Sequence, residues 1–211
     1  MRDLDRINGE RRFWNKFAHR YDRFMDRRVK SYGTLLEKLI QEISAGSIVL
    51  EVAAGTGVVS LRLAEKAGHV YALDLSQAMV TEAKKKAGGK NLENIEFLVD
   101  DAYELPFESG KFDAVICSNA LHNMKDTATP LMEMRRVLKP GGRVFTPTFC
   151  HGQGLKSRII SWIMGLTGFP AYHRFTIEEF TTLIERSGFE IIRKEIIKDA
   201  IPMIYLVGAK A

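Results

Sequence analysis

"SIVLEVAAGTG", residues 47–57, joins a short β-branched run to a loop of small residues, directly before a helix-forming stretch. A strand that breaks into such a loop and then a helix is the opening unit of an open α/β sheet, whose ligands sit beyond the carboxyl ends of the strands. The loop itself, "EVAAGTG" at 51–57, thus points to both the fold and the site.

The unit repeats downstream. Val58, Leu61 and Ala64 give a helical stripe that ends at Gly68, and "HVYALD" is the next strand. Ser76 is the expected N-cap of a helix with Met79, Val80, Ala83 and Ala87 inward, stopped by Gly88 and Gly89. "IEFLVD" makes a third strand, and "FDAVICSN" a fourth that is apolar enough to be buried on both faces. A helix from about Thr127 to Leu138 follows; "KPGG" then turns the chain, with Pro140 and Gly141 at the centre of a type II turn, into a fifth strand "RVFTPTF". Thr176 and Glu179 form a capping box for a helix closed by Ser187 and Gly188. "EIIRKEIIK" and "IPMIYLVGAKA" are the last strands, and the short link between them requires an antiparallel pair. The expected architecture is α/β: a doubly wound, mostly parallel seven-stranded sheet with one antiparallel strand and an N-terminal helical cap.

With 211 residues, 45% hydrophobic and 27% charged, the chain can bury a core without a stapling metal or disulfide. One structural domain is expected, with a helical cap over 1–45, a core over 46–211 and an insertion at about 150–175. Cys117 and Cys150 lack metal-ligand spacing and read as buried reduced thiols, and no metal site is expected. No apolar run reaches the roughly 18 residues of a membrane span, and the charged start has no signal-peptide core, so the cytoplasm is the expected compartment. The net charge of +5 gathers in "ERRFWNKFAHRYDRFMDRRVK", where Asp22 and Asp26 interrupt the basic run. A solvated helix face accounts for it without DNA or RNA. No feature sets an oligomeric state.

In that segment Trp14, Phe17, Tyr21 and Phe24 recur on one helical face, a stripe that packs on the body, closes over a ligand, or does both. A second helix from about Ser31 turns Leu35, Leu36, Leu39, Ile40 and Ile43 inward and stops near Gly46. In the insertion, "GLKSRIISWIMGLTGF" places Leu155, Ile159, Trp162, Ile163 and Leu166 along one face, with Lys156 and Arg158 outside it. This element is expected to cap a pocket for a partly hydrophobic small molecule, or to touch a membrane surface through Trp162, Lys156 and Arg158.

As a dinucleotide loop, G-x-G-x-x-G, residues 53–58 supply only Gly55 of three glycines. The stretch resembles instead motif I of the class I S-adenosylmethionine-dependent methyltransferases, E/D-x-G-x-G-x-G. Glu51, Gly55 and Gly57 match, while Ala53 replaces the first glycine and is therefore expected at an ordinary negative φ. Asp74 in "ALDLS" resembles the acidic residue ending strand two, and "DDAYELPF" the adenine-side D-A-x-x-L-P-F segment. "FDAVICSNALHNM" and "LKPGGRV" resemble the strand-four and strand-five signatures. The resemblance runs from about Ile48 to Val144 and points to the small-molecule branch called type 11.

The resemblance implies S-adenosylmethionine as cofactor and S-adenosylhomocysteine as product. Glu51 would bind the amino end of the methionine, and Asp74 would accept both ribose hydroxyls. Leu75 and Met79 would pack on the adenine. Asp101 would accept the adenine amino hydrogen beside the backbone of Ala102, with Asp100 the competing choice. Ala53, Gly55 and Gly57 would let the backbone approach the methionine and ribose, and Asn119 with Ala120 would line the methionine end.

Methyl transfer from a sulfonium is an in-line displacement that needs alignment and exclusion of water, and a base only where the nucleophile holds its proton. His122 in "LHNM" is the candidate base, its other reading being a loop-fixing histidine; Tyr21, at the mouth in related enzymes, is the second candidate. His151 and His173 flank the insertion and are expected at the same pocket. The methyl acceptor is expected to be a small molecule. The alternatives are an RNA methyltransferase and a non-catalytic S-adenosylmethionine-binding regulator. Base-amino methylation goes with a "[DN]-P-P-[YFW]" tetrad, where this chain has "SNALHN", and a metal-dependent catechol-type enzyme needs carboxylates clustered near strand four. Ala53 is the feature that invites the regulator.

Overall fold

A computed structural model describes residues 3–26, 29–166, 172–198 and 201–210. Helices α1 (Leu4–Asp26) and α2 (Val29–Glu42) precede β1 (Ile48–Val52). There follow α3 (Val58–Ala64), β2 (His69–Asp74), α4 (Gln77–Gly88), β3 (Ile95–Val99), β4 (Phe112–Ile116) and α5 (Ala128–Val137). The chain ends through β5 (Leu138–Phe145), β6 (Thr148–Phe149), α6 (Gly154–Leu166), α7 (Ile177–Arg186), β7 (Phe189–Ile197) and β8 (Met203–Lys210).

The strands form one sheet in the order β3-β2-β1-β4-β5-β8, with β7 on the far side of β8. β1 to β5 are parallel, and β8 runs antiparallel to β5, β6 and β7. The sheet has eight strands because the fifth position is divided. Pro147 has no N–H for the ladder, and its carbonyl turns aside to accept from Asn119 N–H at 2.8 Å. β5 and β6 then pair in succession with β8. "KPGG" lies inside β5, where Gly141 at φ 70° has the sign that a type II turn demands. It absorbs the register shift between the Phe112–Leu138 and Ala114–Arg143 pairs.

Period-two alternation distributes the core. Val49, Val70, Ala114 and Phe145 join Leu39 and Ile43 of α2 and Leu63 of α3 on one face. Their neighbours Leu50, Leu73, Val115 and Val144 join Leu131 and Met134 of α5 and Phe180 and Ile184 of α7 on the other. A sheet buried on both faces in this way tolerates little loss of volume; truncating Leu63 or Phe180 to Ala costs about 2–5 kcal/mol. Local signals hold the helix ends: the Ser76 hydroxyl accepts from Met79 N–H at 3.2 Å, Thr176 and Glu179 form the capping box, and Gly188 at φ 85° follows α7. Cys117 and Cys150 are free and buried.

Candidate active site

The carboxyl ends of β1, β2 and β4 and the loop after β3 surround a cleft, where ligands of open α/β sheets sit. Ala53 and Gly55 line it from the loop after β1, Asp74, Leu75 and Met79 from the end of β2 and α4, and Asp101 and Ala102 from the loop after β3. Asn119 and Ala120 line it from the end of β4, and Tyr21 from α1.

Asp74 is held by two backbone donors: Gly55 N–H reaches Oδ2 at 2.7 Å and Ser76 N–H reaches Oδ1 at 2.8 Å. Burial pushes this carboxyl up to about 6, against the pull of those two hydrogen bonds. Glu51 lies in a small adjoining cavity that shares Tyr21, Ala53 and Ser118 with the cleft. Its carboxylate accepts from the Ser60 hydroxyl and has no cationic partner among the described residues. Burial pushes it up to about 8, and the nearby Asp74 charge adds to the rise.

Ala53 corrects the sequence expectation, for its φ is 56°, in the left-handed region. The loop keeps the backbone that a glycine would adopt, because Ala54 N–H must reach Leu73 O at 2.9 Å and Gly55 N–H must reach Asp74. An L-residue there bears roughly 1–2 kcal/mol of strain. Gly57, at φ 77°, lies off the cleft; a Cβ on it would stand 3.0 Å from the Ala83 Cβ, so this glycine serves the packing of the loop on α4. Gly55 lies against the Tyr21 ring, 3.5 Å from where its Cβ would stand.

Helix α1 crosses these strand ends and is tied down along its length. The Arg6 guanidinium pairs with Asp101, bonds Glu10 at 2.9 Å and lies 3.7 Å from the Tyr103 ring centre. Asn15 Oδ1 accepts from the Ser76 hydroxyl at 2.7 Å and from Ala78 N–H at 3.2 Å. Asp22 accepts from the Thr56 hydroxyl at 2.5 Å and pairs with Lys86 at 2.5 Å. Trp14 and Tyr21 thereby wall the cleft, and Phe17 packs edge-on against both rings. The Phe24 side chain lies outside the described residues.

His122 is placed elsewhere. It is buried, its Nδ1 lies 3.2 Å from the Thr148 hydroxyl, its ring is 5.4 Å from that of His151, and it is not among the cleft-lining residues. Burial, with the two neighbouring histidines, drives it down to about 3, so it is neutral. His173 donates its backbone N–H to His122 O at 3.1 Å; neither it nor His151 lines the cleft. Asp100 also stays off the lining, and its Oδ1 caps Asp101 N–H at 2.8 Å.

Glu10, Leu73, Tyr103, Ser118, Asn123 and Met124 complete the lining; the sequence singles out none of them, since α1 and the turn after β4 meet only through the fold. None of the described side chains of α6 lines the cleft either. Ser157 and Ser161 face inward, while Leu155, Ile159 and Trp162 are 74%, 50% and 59% exposed. The side chains of Lys156, Ile163 and Leu166 lie outside the described residues. Among the described residues no group of three or more His, Cys, Asp or Glu could hold a metal, and no helix is long and apolar enough to cross a membrane.

Residues 49–142 match the methyltransferase domain family. The demethylmenaquinone methyltransferase of Bacillus cereus is 31% identical over 176 residues, spanning 73% of this chain and 74% of the relative. The chain belongs to the class I S-adenosylmethionine-dependent methyltransferases. The methyltransferase is also 42% identical over 100 residues to the demethylmenaquinone methyltransferase of Clavibacter sepedonicus, a match covering 47% of this chain and 40% of that one. It therefore spans less than half the length of several curated relatives it matches. Solved methyltransferases share its fold. That of Thermotoga maritima superposes with a TM-score of 0.76 at 19% identity over 95% of this methyltransferase and 99% of that chain. That of Aquifex aeolicus gives 0.67 at 20% over 83% and 89%.

Proposed function

We propose that this methyltransferase moves a methyl group from S-adenosylmethionine to a small, partly apolar acceptor in the cytoplasm. One observation carries the reading: Asp74 and Asp101 lie at successive strand ends around one cleft, with the buried Glu51 against its wall. A buried carboxylate that faces no cation among the described residues, as Glu51 is, suits the ammonium of the methionine portion. Asp74, fixed by two N–H donors, has lone pairs left for a ribose diol. Asp101, with Ala102, takes the adenine edge once Arg6 yields, Leu75 and Met79 pack on the ring, and Ala53 and Gly55 bring the loop after β1 close.

When bound, S-adenosylmethionine supplies an electrophilic methyl group on a cationic sulfur and leaves as S-adenosylhomocysteine. The chain's part is to orient the acceptor atom and exclude water. Tyr21 and Trp14 do this from α1, within the cap of residues 1–45. His122, neutral and bonded to Thr148, positions the turn after β4 rather than taking a proton. Held by the cleft residues, the sulfonium would supply the methyl carbon and keep the sulfur–carbon electron pair, and the acceptor's proton would leave to bulk solvent.

The relatives' name suggests the acceptor class, a hydroxylated aromatic ring of the quinol type, which fits the apolar wall of Trp14, Tyr21, Leu73 and Met124. In the insertion, at about 150–175, the exposed ridge of Leu155, Ile159 and Trp162 beside Arg158 supports a peripheral contact with a membrane surface, where such acceptors partition. Calorimetry with S-adenosylmethionine and S-adenosylhomocysteine tests the cofactor: absence of binding by either overturns the assignment. A screen of quinol, lipid amine, thiol and small acid acceptors, reading S-adenosylhomocysteine formation, tests the acceptor.

A further inference from the structure

Glu51, Asp74 and Asp101 answer to the cofactor; besides one oxygen of Glu10 near Arg6, the unpartnered buried polar atoms lining the cleft belong to two asparagines. Asn119 and Asn123 sit past the carboxyl end of β4 and both line the cleft. Nδ2 and Oδ1 of Asn119 and Oδ1 of Asn123 are buried, and none has a hydrogen-bond partner among the described residues. A buried amide atom left unpaired costs roughly 1–3 kcal/mol, so three in one place call for a ligand that satisfies them.

The backbone points the same way. Asn119 holds a φ of 52° and is pinned there by donating its N–H to Pro147 O at 2.8 Å. Asparagine tolerates this region, and the bond fixes the turn that brings its side chain to the cleft lining. Asn123 donates Nδ2 to Asn119 O at 3.3 Å, which commits its amide nitrogen and leaves Oδ1 as the open acceptor. The pair therefore offers a donor and acceptors side by side.

Their charge selects the ligand. The methionine portion of the cofactor carries an ammonium, which the Glu51 carboxyl in the adjoining cavity matches better than neutral amides do. What remains for the amides is a neutral oxygen function, and Ala120, Met124, Trp14 and Tyr21 beside them offer an apolar wall. We infer that Asn119 and Asn123 form the polar subsite for the methyl acceptor, holding the hydroxyl of an aromatic alcohol whose ring lies on that wall. Asn119 Nδ2 donates to the hydroxyl oxygen, and Asn123 Oδ1 accepts its hydrogen. This rests on the acceptor class proposed above and names the residues that would select it.

The test is binding of naphthohydroquinone, under argon, to protein saturated with S-adenosylhomocysteine, with naphthalene as the ring lacking hydroxyls. Asn119→Gly is the first variant, because glycine accepts the positive φ and the fold is retained; Asn123→Leu is the second. Each is expected to weaken the diol by about tenfold or more while leaving naphthalene and S-adenosylhomocysteine affinities within about twofold. Unchanged diol affinity overturns the subsite. A parallel loss of S-adenosylhomocysteine affinity assigns the amides to the cofactor and also overturns it. If the wild-type protein binds no diol at all, the quinol reading falls and the subsite with it.

Discussion

The Asp74 carboxylate accepts the Gly55 N–H at 2.7 Å and so ties the loop after β1 to the end of β2. Its other oxygen accepts Ser76 N–H, at the start of α4, so one side chain organises both loops that bound the cleft. Asp74→Asn sets an NH₂ against one of those donors. A hydrogen bond to a charged group contributes about 1.5–3 kcal/mol, so S-adenosylhomocysteine affinity should fall by about 10- to 100-fold, with a lower Tm. Calorimetry beside thermal unfolding checks this, and unchanged affinity would remove Asp74 from the site.

The two buried carboxyls set a pH dependence of stability. Glu51 and Asp74 titrate at about 8 and about 6 in the folded protein, against ordinary values of 4.5 and 3.8. Between these values the folded state holds protons that the unfolded chain has lost. Their contribution is therefore fully present below about pH 4 and is lost as pH rises to about 8, on the order of a few kcal/mol. Thermal unfolding of the ligand-free protein from pH 5 to pH 9 should show a falling Tm, and Glu51→Gln should flatten the upper part and exceed wild type at pH 8. If Glu51 meets an ammonium, cofactor binding ionises it, and the calorimetric enthalpy near pH 7 should differ between phosphate and Tris buffers.

Ala53→Gly should relieve the strain at φ 56° and stabilise the protein by about 1 kcal/mol, with cofactor affinity equal to or severalfold above wild type. Chemical denaturation at constant m-value reads the first and calorimetry the second. Destabilisation would mean that the methyl group packs better than the backbone strain costs.

Strand and helix order, the capping box, the Ser76 cap and the closing antiparallel strand were legible in the sequence, because each is a local pattern backed by period-two or helical burial. Asp74, Asp101 and the loop came from the resemblance to the methyltransferase motifs, and the parallel order of the strands brings all three to the lining of one cleft. Ala53 misled: alanine favours negative φ when taken alone, but the hydrogen bonds of Ala54 and Gly55 fix the loop first. His122, offered by the sequence as a base or a loop-fixing histidine, lies off the cleft lining beside the Thr148 hydroxyl, an orientation of the turn that no local pattern encodes. Arg6 with Asp101, and Asn15 with Ser76, join residues 95 and 61 positions apart, and no local periodicity encodes such ties.

Among the described side chains of α6, Ser157 and Ser161 face inward beside Ile160, while Leu155, Ile159 and Trp162 face outward. Changing all three outward residues to Ser should leave Tm within about 1–2 °C, since exposed positions contribute little to folding. Flotation with vesicles containing anionic lipid should carry the wild type and not the triple variant. If wild type stays at the bottom of the gradient, the ridge has no membrane role.

His122 offers the clearest separation of chemistry from packing. It is neutral at physiological pH, buried, and bonded to the Thr148 hydroxyl 3.2 Å away, so it contributes through that bond and its volume. His122→Leu keeps the volume and removes the bond, an expected loss of about 1 kcal/mol. Turnover should stay within about threefold of wild type, and the pH–rate profile of both proteins should lack an inflection of the His type near pH 6.5. A hundredfold fall in kcat with unchanged Tm would instead make the imidazole a catalytic base, and would require the turn after β4 to swing it toward the cleft during the reaction.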